Sequence, residues 1–94
     1  MIEYTLYPTA TAATTDIDLP ASFIELDSVI VVDVGAYSGG ADVTPVSKTI
    51  VDSAPSTGEV WLNSETTFQL GDAITDQNLV IVRGILEGGK LLPE

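Results

Sequence analysis

The side chains that could do chemistry in this chain are almost all oxygen donors. Histidine and cysteine are absent. That removes the commonest general base, the commonest metal ligand and the thiol nucleophile. What remains is 14 Asp and Glu against 3 Lys and Arg, a net charge of −11. Asp72-x-x-x-Asp76-x-Asn78 and Asp16-x-Asp18 set hard oxygen ligands at the short spacing that calcium prefers. Neither has the EF-hand pattern, and turn formation is the plainer role for such Asp residues. There is no G-x-S-x-G, no P-loop and no dinucleotide fingerprint. Asp16, Asp18, Glu25, Asp27 and Asp33 read as solvated turn or outward strand positions rather than a converging pair. The expectation is therefore no enzyme and no cofactor, since a site must be argued from groups that converge.

Binding chemistry is better represented. Trp61 is the single Trp, and in a strand it either packs a sheet or presents its ring to a sugar or a neighbouring subunit. Tyr4, Tyr7 and Tyr37 would supplement such a surface. Arg83 interrupts an apolar run; it either snorkels from the sheet or pairs with Asp33 on the neighbouring strand. Three cations are too few for a nucleic-acid or anionic-membrane partner, because binding phosphates relies on Lys and Arg. No apolar run approaches the ~20 residues of a membrane helix. Met1-Ile2-Glu3-Tyr4 lacks the basic and apolar regions of a signal peptide. An acidic surface fits the outer face of an assembly, docking on a basic partner, or a high-salt environment where self-repulsion is screened.

The elements that must position these residues are strands. Ser28-Val29-Ile30-Val31-Val32-Asp33-Val34 is nearly all β-branched, which suits a pleated surface and not a helix. It predicts a central strand covered on both faces, paired with the similar run at 79–86. Ile2-Glu3-Tyr4-Thr5-Leu6-Tyr7 and Thr15-Asp16-Ile17-Asp18-Leu19 alternate with period two, and Pro8 and Pro20 close them. Strands are further expected at 46–51, 59–63 and 66–70. Residues 21–27 fit a short helical turn or an irregular corner. The core is expected from Ile17, Leu19, Phe23, Val29, Val31, Ile50, Val60, Leu62, Phe68, Leu70, Val80 and Val82, or from the opposite register in the two central strands. With 94 residues, 45% of them hydrophobic, the chain is one domain over 1–94 and too apolar to be disordered. The fold class is all-β, an antiparallel β-sandwich or small barrel of about six to eight short strands. Residues 8–15 hold no large apolar side chain. They are an extended connector, or residues 1–15 are an arm that orders on a neighbour. Without disulfides or metal ligands, so small a domain favours oligomerisation or docking.

The order of features is also informative. Thr14-Thr15-Asp16-Ile17-Asp18-Leu19-Pro20 is followed by Val29-Ile30-Val31-Val32-Asp33-Val34-Gly35. Later come Thr66-Thr67-Phe68-Gln69-Leu70-Gly71-Asp72 and Leu79-Val80-Ile81-Val82-Arg83-Gly84. This order, over most of residues 11–85, resembles small β domains in tail fibres and other virion accessory proteins of tailed bacteriophages. The asparagine-glycine region usual after the valine strand is replaced here by Ala36-Tyr37-Ser38-Gly39-Gly40. The resemblance implies a non-enzymatic virion structural protein of the capsid decoration or cement kind, at the capsid surface or tail. Its partners would be other virion proteins, above all a major capsid protein, and homotrimers are common in that class. Docking would fall to the arm and its aromatics: Ile2, Tyr4, Leu6, Tyr7, Tyr37 and Trp61. The alternative is a β-sandwich module that binds carbohydrate or protein.

Overall fold

The two runs richest in β-branched residues lie side by side at the centre of the molecule. The computed structural model describes residues 1–34 and 44–87. In it, β3 (Phe23–Asp33) pairs antiparallel with β8 (Asn78–Leu86). The register sets Val29 opposite Val82 and Val31 opposite Val80. Val29, Val80 and Val82 are buried in the core, and Val31 packs against it. The alternate residues, Ile30 with Ile81 and Val32 with Leu79, share the other face. Val32 is buried there and its neighbours are half-buried. Apolar side chains on both faces are why these runs are unbroken rather than alternating.

Among the described residues, six shorter strands complete two sheets. The first has the order β1 (Ile2–Leu6), β8, β3, β4 (Val46–Ser47). The second has β2 (Asp16–Asp18), β7 (Thr67–Leu70), β6 (Glu59–Ser64), β5 (Thr49–Val51). Every pairing is antiparallel except β5 with β6. The fold is all-β, two four-stranded sheets around one core. Phe23, Val29, Val80 and Val82 from the first sheet meet Ile17, Val60, Phe68 and Leu70 from the second, with Leu19, Leu26 and Ile74 closing the cluster. Each such side chain contributes about 1.5–3 kcal/mol on burial.

Three expectations need correction. Residues 46–51 are not one strand. The chain changes sheets at Lys48, whose N–H donates to the Val29 carbonyl at 2.8 Å, while the next N–H, of Thr49, donates to Gly58 at 2.9 Å. Residues 21–27 contain no helical turn. Residues 23–27 begin β3, with register shifts between Phe23 and Glu25 and between Leu26 and Ser28. Each shift inserts a residue, so Phe23 and Leu26 are both buried while Ile24 and Glu25 face out. Finally, Ile50 is 38% exposed on the edge strand β5. Leu26 and Ile74 take core places that the alternation did not predict.

β1 lies at the edge of the first sheet, paired with β8 from Ile2 opposite Gly84 to Leu6 opposite Val80. Ile2, Tyr4 and Leu6 pack against the core, and Tyr4 meets Phe23 edge-on with ring centroids 6.0 Å apart. The connector then crosses to the second sheet. Thr11 and Ile74 exchange backbone hydrogen bonds at 2.9 and 3.0 Å, and the Thr14 N–H donates to Leu70 at 2.8 Å. Thr14 makes this turn at φ 59°, where a β-branched residue is strained.

Gly84 fixes how closely β3 approaches β8. A Cβ there would strike the Glu25 carbonyl oxygen and lie 2.9 and 3.1 Å from two Phe23 ring carbons. Gly84→Ala is expected to destabilise the fold by about 2–3 kcal/mol, read as a lower urea midpoint with an unchanged slope. Thr14→Gly should act in the opposite sense, raising stability by about 0.5–1 kcal/mol in the same assay by relieving the left-handed backbone.

Candidate functional site

The bulged start of β3 shapes an open groove. The groove, of about 420 Å³, is lined by Ile24, Glu25 and Leu26 of β3, Ile50 and Val51 of β5, Asp52 just beyond it, and Trp61 and Leu62 of β6. It opens at the edge of the sandwich. Ile24, 54% exposed, and Ile50 offer apolar surface to an incoming group. Glu25 and Asp52 are the charged lining residues, both acidic. The size matches a small-ligand site. The lining combines six apolar residues with two carboxylates, so the groove offers apolar contact flanked by negative charge.

Trp61 joins this groove to the outward face of the second sheet. The register places Trp61 in a row with Val51, Gln69 and, beyond Gln69, Asp16. The Gln69 and Asn63 amides both donate to Asp16 Oδ1 at 2.8 Å. Gln69 first, and Asn63 after it, hold the Asp16 carboxyl below the usual carboxylate range. Thr67 donates to Asn63 Oδ1 at 2.9 Å, which leaves Ser64 to donate to Thr67 across 2.7 Å. This network ties the edge strand β2 to β6 and β7.

A second electrostatic node holds the sheet crossover. Lys48 Nζ donates to Asp72 Oδ2 at 3.1 Å, and the Gly58 N–H donates to the same oxygen at 2.8 Å. Gly58 adopts φ 81°, a glycine conformation that aims its N–H at Asp72. The Gly58 bond, followed by Lys48, depresses the Asp72 carboxyl below its ordinary value. Its side chain is a third exposed, so solvent screens much of the ion pair.

The residues expected to dock partners are dispersed. Ile2, Tyr4 and Leu6 are half-buried in β1 and turn toward the core. Tyr7, just past β1, is 79% exposed. Trp61 lines the groove. Tyr37 lies outside the described residues. Arg83 is 3.6 Å from Asp27 rather than paired with Asp33, and both side chains are about half exposed, so this is a surface ion pair. The bulge between Leu26 and Ser28 accounts for the change of partner, since it brings Asp27 beside the residue opposite Arg83. The Asp72 and Asn78 oxygens of the calcium-like spacing are engaged within the fold: Asp72 as above, and Asn78 Oδ1 by the Thr75 N–H at 2.9 Å. Ile24, Glu25, Ile50 and Asp52 were missed as site residues. The one signal for them was the crowding of Phe23, Ile24 and Leu26, which breaks period two and marks a bulge. No family model, curated protein or solved structure matches the chain.

The pH dependence of Asp72 follows from its position. A depressed folded pKa means that the stabilisation is present above the unfolded value, about 3.9, and is lost as pH falls through the folded one. Stability should therefore fall off below about pH 4. Asp72→Asn keeps an acceptor for Gly58 but loses the charge. It should lower stability at pH 7 by about 1 kcal/mol and flatten the acid limb of a urea-midpoint-against-pH curve.

Proposed function

We propose that this chain is a non-enzymatic structural subunit that docks on a larger assembly, specifically a capsid decoration or cement protein of a virion. The observation that carries this reading is the groove. Its floor is apolar, its charged residues are the acidic Glu25 and Asp52, and the chain around it carries −11. Such a surface fits an apolar projection with basic flanks on a major capsid protein. Binding only the assembled shell would stabilise the shell by mass action. The resemblance of the strand motifs to virion accessory domains points the same way. Placement at the capsid surface or tail, and any homotrimer, belong to this proposal.

A second reading rests on Trp61. A half-buried Trp in a row with Val51, Gln69 and Asp16, on a face that is otherwise mostly polar, has the composition of a sugar-stacking platform.

The two readings part in one experiment. Purified shells are titrated with the chain, and Trp61 fluorescence is followed against shells and against a glycan panel. For the decoration subunit, Ile24→Asp and Ile50→Asp should each weaken shell binding at least about tenfold, as losing an apolar anchor at a docking centre does. Their thermal midpoints should stay near that of the parent, since both side chains are exposed. A glycan-dependent fluorescence change, with no shell binding, replaces the first reading by the second.

A further inference from the structure

Four strands end the two sheets among the described residues: β1, β4, β2 and β5. Three are blunted. β4 has two residues and follows Pro45. β2 has three residues, carries Asp16 and Asp18, and is closed by Leu19 and Pro20. β5 has three residues and runs into Asp52. β1 carries one acidic residue, Glu3, but is otherwise less protected. It is five residues long, holds no Pro, Lys or Arg, and pairs with β8 without a register shift. Such an edge offers a row of backbone donors and acceptors to another strand.

Charge limits what that strand is. Of the 14 acidic residues only Glu3 lies before residue 16. A chain of net charge −11 repels its own copies from most directions. Along β1 itself the one charged side chain is Glu3, which lies opposite Arg83 of β8.

We infer that β1 is a self-association edge, pairing antiparallel with β1 of a second copy about a two-fold axis at Tyr4. In this register Tyr4 faces Tyr4, Ile2 faces Leu6, and Glu3 faces Thr5 of the other copy. All five residues are paired, so whichever alternate peptide groups point away from β8 find partners. The apolar Ile2, Tyr4 and Leu6 stay on the core face of a sheet now eight strands wide, and Glu3 and Thr5 stay on the outer face. Moving the axis to Glu3 would set two carboxylates opposite each other. Moving it to Thr5 leaves Ile2 opposite Pro8, which has no N–H. A two-fold pairing of this kind closes on itself and makes a dimer, not a trimer. It stands independently of the docking groove, which lies at β5.

The test is sedimentation equilibrium of the full chain from about 0.02 to 1 mM, a range suited to an interface below standard size. Runs at about 0.1 and 1 M salt bracket the screening of the two net charges. The expected result is a monomer–dimer equilibrium that tightens at high salt. Thr5→Glu puts a carboxylate opposite Glu3 of the other copy, twice per dimer, and should weaken association about three- to tenfold. Thr5→Lys puts an ammonium there and should strengthen it by a similar factor. Thr5 is exposed, so neither change threatens the fold, and tighter binding by Thr5→Lys cannot come from misfolding. A monomer at every concentration and salt, a mass that settles at three copies, or equal responses to the two Thr5 variants would overturn the inference.

Discussion

The antiparallel pairing of β3 with β8 is the constraint on which the other features rest. It supplies Val29, Val80 and Val82 to the core, gives β1 and β4 a sheet to join, and sets the height of the groove wall. Its tightest point is Gly84, which lies opposite Leu26 on one side and Ile2 on the other. A hydrogen atom in place of a methyl group lets the Phe23 ring and the Glu25 carbonyl close over β8. The bulge that results turns Ile24 and Glu25 outward. Packing at one glycine and the outline of the groove some residues away are therefore a single geometric fact.

No polar or charged side chain is buried among the described residues. The interior offers adhesion without directional specificity, and hydrophobic contacts alone tolerate slippage of strands. Direction comes from the perimeter. The Asp16 network fastens β2 to β6 and β7, and Asp72 fastens Lys48 to the Gly58 turn where the chain changes sheets. The same acidic residues that give the chain its large negative charge thus include those that hold its edges in register.

The sequence was legible where a single period governed a segment. β-branched runs announced β3 and β8, and alternation announced β1, β2 and most of the core. It was less legible where two periods met. At residues 23–27 the bulges break alternation, and the pattern mimics a turn of helix. At Lys48 one continuous apolar-rich stretch serves two sheets, because the hydrogen bonds that divide it come from Val29 and Gly58, which are remote in sequence. Ile50 reads as a core residue by its type, and only its place on an edge strand exposes it. The groove was hidden for the same reason: it is assembled from β3, β5 and β6, and no one segment carries its mark. Trp61 and the crowding at Phe23, Ile24 and Leu26 were its marks in the sequence.

The position of β8 has a consequence for how the protein is made. It is the latest of the described strands in the chain, yet it stands between β1 and β3 in the first sheet. During vectorial synthesis both neighbours leave the ribosome with no partner between them. The first sheet can assemble only after residue 86 has cleared the exit tunnel, whereas β5, β6 and β7 are close in sequence and are free to pair earlier. Long-range closure of this kind is slow. For that interval the nascent chain presents two apolar strands with open edges, and the self-repulsion of an acidic chain disfavours contact between such intermediates.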